Sequence, residues 1–133
     1  MKINVLGLGY IGLPTALLLA ESGNEVIGVD IDKEKLEKLN RGVLPFQEPG
    51  LEELYENGKN NFKPKSELEK GDVFIIAAPT PLDRDIRVAD LNAVQRASEM
   101  IYPVLSEGNL VVLESTVPIG TSRNLVLPIL KKS

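Results

Sequence analysis

The sequence predicts an α/β fold, a doubly wound, Rossmann-like parallel sheet with helices on both faces. Short apolar, β-branched runs alternate with segments of helical periodicity along the chain, which is the pattern of consecutive βαβ units. The first unit has the glycine spacing G-x-G-x-x-G between its strand and its helix, and an acidic residue closes its second strand. Two later runs, at residues 73–77 and 110–113, are apolar throughout, as in strands buried on both faces of a sheet.

The glycine turn follows the first predicted strand, residues 2–6. Gly7 permits the tight turn, Gly9 lets the backbone approach a diphosphate, and Gly12 lets the next helix pack closely on the strand. That helix, about residues 10–22, directs its free N–H groups and its positive dipole end at the phosphates. The turn therefore predicts a dinucleotide-binding site.

Asp30 closes the second predicted strand, residues 25–29, at nearly the distance from the glycine turn that a ribose-binding acid has. Its carboxylate is suited to accept hydrogen bonds from the adenosine ribose, and it would repel a 2′-phosphate. Ile31 and Asp32 follow with no arginine beside them. The sequence therefore favours NAD over NADP.

A second helix is predicted after Asp32, its N-cap. Lys35 on this helix either reaches the adenosine half of a cofactor or is a solvated charge, and the sequence leaves both interpretations open. A proline-rich connection, residues 43–50, leads to a third short helix with Pro49 at its first position and Gly58 at its end.

The sheet is completed by three further predicted strands, at residues 61–63, 73–77 and 109–113. Right-handed connections then give the strand order 3-2-1-4-5. Residues 82–89 are predicted to be a charged, mobile segment, and Asp90 is the predicted cap of the helix that follows.

Two turns rich in hydroxyl groups follow the fourth and fifth strands. Pro79-Thr80-Pro81 lies where open α/β sheets bind ligands, so the Thr80 hydroxyl either faces a cofactor ribose or phosphate or belongs to a rigid loop that redirects the chain. The second turn has the sequence ESTVPIGT, begins at Glu114, and precedes a final helix through residues 125–130.

The composition excludes several classes of function. The 133 residues are enough for one domain and contain neither cysteine nor histidine, which excludes zinc fingers, thiol catalysis and histidine acid–base chemistry within them. The net charge of −4 argues against nucleic acid or an anionic membrane as the main partner. The longest apolar run is too short to span a bilayer, and no segment resembles a signal peptide, so a cytoplasmic location is expected.

Four motifs in order carry a resemblance to a known family: the glycine turn, EPGL at residues 48–51, APTP at 78–81, and ESTVPIG at 114–120. The chain resembles the UDP-glucose/UDP-N-acetylmannosamine dehydrogenase family, and most of all its N-acetylmannosamine branch. The likeness covers the family's N-terminal part. Residues 1–133 are therefore expected to form an incomplete NAD-binding domain, ending before a sixth strand and without the later dimerisation and UDP-sugar-binding domains.

The resemblance implies NAD as cofactor and a reaction that oxidises the C6 alcohol of a UDP-sugar to a carboxylate. The family performs two hydride transfers and uses a cysteine nucleophile, and no residue here can replace that cysteine. We therefore expect NAD binding without turnover. An uncovered fifth strand, residues 110–113, also predicts self-association along that sheet edge or through the last helix.

The resemblance also implies roles for particular residues. Positions matching Tyr10 and Ile11 bind the diphosphate together with the glycines, and threonines matching Thr80 and Thr116 line the nicotinamide side. Thr121 or Ser122 is implied as a further contact. The predicted cofactor-binding residues are Gly7, Gly9, Tyr10, Ile11, Gly12, Asp30, Lys35, Thr80 and Thr116.

Two other classes of protein share the glycine turn and the acid. One is a regulatory nucleotide-sensing module like those attached to potassium channels, which has no evident need for the hydroxyl groups of the ESTVPIGT turn. The other is an S-adenosylmethionine-dependent methyltransferase, whose glycine loop usually follows an acidic residue, whereas Asn4-Val5-Leu6 precedes it here. Affinities for NAD, NADP and S-adenosylmethionine would separate the three.

Overall fold

A computed structural model describes residues 1–132. The strands are β1 (Lys2–Leu6), β2 (Glu25–Val29), β3 (Phe62–Lys65), β4 (Val73–Ile76), β5 (Leu82–Asp83), β6 (Val88–Ala89) and β7 (Leu110–Leu113). Five of them form one parallel sheet in the order β3-β2-β1-β4-β7. This is the predicted order 3-2-1-4-5, because β5 and β6 form a separate hairpin between the fourth and fifth strands of the sheet.

Helices cover both faces of the sheet, which confirms the doubly wound fold. The helices are α1 (Gly12–Glu21), α2 (Lys33–Asn40), α3 (Leu51–Gly58), α4 (Asn92–Ile101) and α5 (Leu127–Leu130), and a π-helical turn, Ser122–Val126, leads into α5. Short 3₁₀ turns follow α3 and α4 at Lys59–Asn61 and Tyr102–Val104. Within residues 1–132, no helix is both long and apolar enough to cross a membrane.

Strand β1 separates two hydrophobic cores. Val5 packs in the core on the side of α1, and Leu6 packs in the core on the side of α4, because successive strand residues point to opposite faces. Both residues are fully or almost fully buried. The central strands therefore need apolar residues at nearly every position. Because the strands are parallel, their carboxyl ends lie at the same edge of the sheet.

The predicted start of the third helix is wrong by two residues. The helix begins at Leu51 and has Gly50 as its N-cap, with φ +83°, so Pro49 precedes the helix instead of occupying its first position. The left-handed backbone at Gly50 turns the chain into the helix, a conformation that glycine adopts without steric cost.

The segment predicted to be charged and mobile, residues 82–89, contains an antiparallel hairpin of β5 and β6. The Asp83 carboxylate closes its turn by accepting hydrogen bonds from the backbone N–H groups of Asp85 and Ile86, at 3.0 and 3.3 Å. Aspartate at a turn supplies such local acceptors. A charged side chain therefore stabilises a turn that the hydrophobic pattern did not reveal.

Strand β7 has the sequence of a buried strand but lies at the edge of the sheet. Leu110 and Val112 are 57% and 37% exposed. The helix predicted after it, through residues 125–130, is divided into the π-helical turn and the short α5, and Pro128 lies in the first turn of α5.

A cluster of charges joins β1 to the segment before β4. Lys2 and Lys65 both form ion pairs with the Glu69 carboxylate, and their hydrogen bonds lower the pKa of Glu69 to about 2. Because the folded pKa lies below the unfolded value, the ionised carboxylate stabilises the fold at neutral pH. This contribution is lost as the pH falls from about 4.5 towards 2.

We therefore expect Glu69→Gln to lower the free energy of unfolding at pH 7 by less than about 1 kcal/mol, as for other ion pairs at the protein surface. Urea unfolding at several pH values should show the difference from wild type shrinking below about pH 4.5. Glu67→Gln, at an exposed neighbour, is the control. A difference that is the same at pH 2.5 and pH 7 would contradict the assignment.

Candidate functional site

Two of the three motif glycines are required by the fold. Gly7 has φ +99°, and a Cβ there would lie 2.5 Å from the carbonyl oxygen of Ala77. A Cβ on Gly12 would lie 1.7 Å from the carbonyl oxygen of Gly7. Gly9 differs, because a Cβ there meets no atom within 4 Å. The backbone of Gly9 is therefore open to a ligand.

The start of α1 provides unpaired backbone N–H groups. Within residues 1–132, the N–H groups of Tyr10, Ile11 and Gly12 receive no hydrogen-bond acceptor from the chain, and Ile11, the N-cap, has no side chain that caps the helix. Free amides at the positive end of a helix dipole are suited to bind an anion.

The Asp30 carboxylate organises the turn from beside it. Oδ2 accepts a hydrogen bond from the backbone N–H of Leu8 at 2.9 Å, and Oδ1 accepts one from the N–H of Asp32 at 2.9 Å. The Lys35 ammonium lies 3.4 Å from Oδ2. A carboxylate has about four lone-pair positions, so Asp30 holds the glycine turn and keeps acceptor capacity for a ribose hydroxyl.

A cavity of about 460 Å³ lies at the carboxyl ends of β1, β2, β4 and β7. Eight of the nine predicted residues line it, and Gly12 lies beneath it against the carbonyl oxygen of Gly7. The eight are Gly7, Gly9, Tyr10, Ile11, Asp30, Lys35, Thr80 and Thr116. Residues far apart in the sequence thus meet in one cavity, while their roles in binding stay predictions.

Two hydroxyl groups join the turns after β4 and β7. Thr80 Oγ1 donates to the carbonyl oxygen of Thr116 at 2.6 Å, and Ser115 Oγ donates to that of Ala78 at 2.7 Å. The Thr80 hydroxyl therefore donates its proton to a hydrogen bond within the protein. Its oxygen can still accept a hydrogen bond, so Thr80 both lines the cavity and fixes the loop.

The further contact implied for Thr121 or Ser122 is not supported by the geometry. Thr121 is buried, and its hydroxyl donates to the carbonyl oxygen of Pro118 at 2.7 Å. Ser122 lines a different groove, between β7 and α5. The hydroxyl groups of the ESTVPIGT turn therefore divide between the cavity and the interior of the turn.

Tyr10 connects the glycine turn to the proline-rich connection. Its ring lies 4.5 Å from the ring of Phe46, measured between centroids. The connection thus supports the exposed tip of the turn.

Among the lining residues that sequence reasoning missed are three with long side chains: Arg96 and Met100 on α4, and Glu114 directly after β7. Glu114 Oε1 accepts a hydrogen bond from Thr15 Oγ1 of α1 at 3.0 Å, which ties the end of β7 to α1. The position of Arg96 in the helix after β4 was a usable signal, since such helices start at the ligand-binding edge of the sheet.

The residues present fit a dinucleotide. Unpaired amides and an open glycine face suit the diphosphate, and the Asp30 carboxylate lies at the neighbouring strand end, where the ribose is expected. The fold and the site together define a dinucleotide-binding domain of the Rossmann type.

Comparison with known families gives a more specific assignment. The model of the UDP-glucose/GDP-mannose dehydrogenase family, NAD binding domain, matches residues 1–133. The chain belongs to this family, its matched domain is the NAD-binding domain, and its cofactor is NAD. The resemblance drawn from the four motifs is confirmed, and the match favours a dehydrogenase over a nucleotide-sensing module or a methyltransferase.

Individual relatives support the same family. The UDP-N-acetyl-D-mannosamine dehydrogenase of Methanococcus vannielii is 45% identical over 129 residues, which cover 93% of this chain and 30% of the relative. The structure of the Staphylococcus aureus UDP-N-acetyl-mannosamine dehydrogenase matches with a TM-score of 0.93 and 41% identity, covering 99% of this chain and 33% of that one.

A relative that acts on a different nucleotide also shares the fold. The GDP-mannose dehydrogenase of Pseudomonas aeruginosa, in a ternary complex, matches with a TM-score of 0.90 and 33% identity, covering 99% of this chain and 32% of that one. The chain thus spans about a third of the length of these relatives.

Proposed function

We propose that this chain is the NAD-binding part of a nucleotide-sugar 6-dehydrogenase, which oxidises the C6 alcohol of a UDP-sugar to a carboxylate. The observation that carries the proposal is the pairing of unpaired amides at the start of α1 with the Asp30 carboxylate in one cavity. Relatives named UDP-N-acetyl-D-mannosamine dehydrogenase make UDP-N-acetylmannosamine the first candidate sugar, with UDP-glucose as the second.

Bound NAD supplies the hydride acceptor for the alcohol oxidation. The chain's own residues bind and orient it: the amides of Tyr10 and Ile11 donate hydrogen bonds to the diphosphate, and Asp30 accepts hydrogen bonds from the adenosine ribose. Thr80 and Thr116 line the same cavity, and in this proposal they face the nicotinamide. Because the 133 residues contain no cysteine and no histidine, we propose that they bind NAD without converting the sugar.

Isothermal titration calorimetry of the chain with NAD, NADP and S-adenosylmethionine tests the proposal. We expect NAD to bind more tightly than NADP, and S-adenosylmethionine not to bind. Absence of NAD binding to the folded chain would refute the proposed site. Preferential binding of S-adenosylmethionine would support a methyltransferase instead.

Replacing Asp30 tests the role of its carboxylate. Asp30→Ala should weaken NAD binding by about 1.5–3 kcal/mol, the usual value of a hydrogen bond to a charged group, which is roughly 10- to 150-fold in Kd. The exposed Asp85→Ala is the control. Unchanged NAD affinity in a folded Asp30→Ala protein would remove this carboxylate from the site.

We also propose that the chain self-associates through the edge of β7 or through α5. The exposed side chains of Leu110 and Val112 lie on a strand whose outer edge has no partner strand among residues 1–132, and such edges favour pairing. Light scattering should give a mass that rises with concentration, and Leu110→Lys should lower it. A monomer mass at every concentration would refute the proposal.

A further inference from the structure

The proposed ribose-binding carboxylate already has a cation beside it. Lys35 Nζ lies 3.4 Å from Asp30 Oδ2, and the two side chains are 22% and 11% exposed. Both residues line the proposed cofactor cavity. The sequence shows no arginine next to Asp30, but the first turn of α2 brings a lysine back to the same strand end.

We propose that Lys35 is a latent binding residue for a 2′-phosphate, and that the Asp30 carboxylate alone keeps the site selective for NAD. The inference rests on the proposed NAD site and adds a residue that determines its specificity. A lysine ammonium binds phosphate as a point charge. Here the ammonium is paired with Asp30 Oδ2, the same oxygen that accepts a hydrogen bond from the backbone N–H of Leu8.

In the wild-type site, the Asp30 carboxylate would repel a 2′-phosphate, and this repulsion would oppose any attraction by the Lys35 ammonium. The phosphate and the Asp30 carboxylate have the same sign of charge and repel each other, and the Lys35 ammonium is already paired with Asp30. Removing the charge at residue 30 both ends the repulsion and frees the ammonium. The other acid close to Lys35 is Asp32, whose Oδ1 is turned to the helix and accepts the backbone N–H of Lys35 at 3.2 Å.

Two replacements of Asp30 separate loss of charge from loss of structure. Asp30→Asn retains one oxygen acceptor for the N–H of Leu8 or of Asp32, and Asp30→Ser leaves more room for a phosphate. If one variant fails to fold, the other still tests the proposal. Each is combined with Lys35→Met, which retains an unbranched apolar side chain and removes the charge. Lys33→Met, at an exposed position on the same helix, is the matched control.

Calorimetry of the 133-residue chain with NAD and NADP measures the outcome. We expect Asp30→Asn or Asp30→Ser to bind NADP at least tenfold more tightly than wild type does, and to bind NAD more weakly. Lys35→Met should abolish the gain for NADP, whereas Lys33→Met should preserve it.

Two results would overturn the inference: no gain for NADP in either folded variant, or a gain that persists after Lys35→Met. These results differ from failure of the proposed function, in which the wild-type chain does not bind NAD at all. A wild-type chain that binds NAD, with variants that do not gain NADP, refutes the role of Lys35 and leaves the NAD site intact.

Discussion

Alanine replacements at Gly9 and Gly12 are expected to separate NAD binding from folding. In Gly12→Ala the new Cβ is placed 1.7 Å from the carbonyl oxygen of Gly7, so either α1 or the glycine turn must move. Overpacking in a well-packed region costs about 1–3 kcal/mol and sometimes more, and we expect at least the upper end because the obstacle is backbone. NAD binding should fall by more than about 100-fold, since a shifted turn no longer presents its amides.

Gly9→Ala should have the opposite profile. Its Cβ meets no atom within 4 Å, and its φ is not in the left-handed region, so the free energy of unfolding should change by no more than about 0.5 kcal/mol. The methyl group would occupy the face from which a diphosphate approaches the backbone. NAD binding should therefore weaken by more than about tenfold while the fold is retained.

Urea unfolding and calorimetry with NAD on the two variants measure both quantities. Each variant is the control for the other, because the chemical change is identical and the surroundings differ. A Gly12→Ala protein with wild-type stability would show that the turn adapts to a side chain. A Gly9→Ala protein with wild-type NAD affinity would place the diphosphate elsewhere.

Asn4→Leu is expected to be the second severely destabilising change. Asn4 is fully buried in β1, and its amide bonds both backbone groups of Glu69, donating at 2.9 Å and accepting at 3.1 Å. Leucine has a similar volume but leaves the N–H and C=O of Glu69 without these partners. Each unsatisfied group costs about 1–3 kcal/mol, so we expect a loss of about 2–4 kcal/mol in the free energy of unfolding.

Chemical denaturation measures this loss, and Asn60→Leu at an exposed position is the control, expected to lie within about 0.5 kcal/mol of wild type. NAD affinity of the folded Asn4→Leu protein should stay within a few-fold of wild type, because the amide points to Glu69 and not into the cavity. Equal stability of wild type and Asn4→Leu would mean that water replaces the amide at Glu69.

Local patterns were sufficient to predict the strands of the main sheet and the geometry of the first unit. The apolar run of β1, the glycine spacing and Asp30 lie within one βαβ unit, so their relation depends on short-range chain geometry. Asp32 likewise caps α2 by accepting the N–H of Lys35, as predicted. These features follow from backbone sterics and hydrogen bonds between near neighbours.

Features that depend on distant segments were not predictable in this way. The carboxylate of Asp83 closes the turn of a hairpin, and the charged residues of this segment do not show the apolar pattern that predicts a strand. The buried amide of Asn4 forms its hydrogen bonds with the backbone of Glu69, which is far away in the chain.

The sequence by itself determined the fold class, the strand order, the glycine turn and the place of Asp30 at the end of the neighbouring strand. Only the tertiary structure decided that Lys35 pairs with Asp30, that Thr80 donates to Thr116, and that Thr15 donates to Glu114. The physical reason is that spacing along the chain encodes backbone geometry, whereas the charge and hydrogen bonding of a site depend on side chains that only the packed sheet and helices bring together.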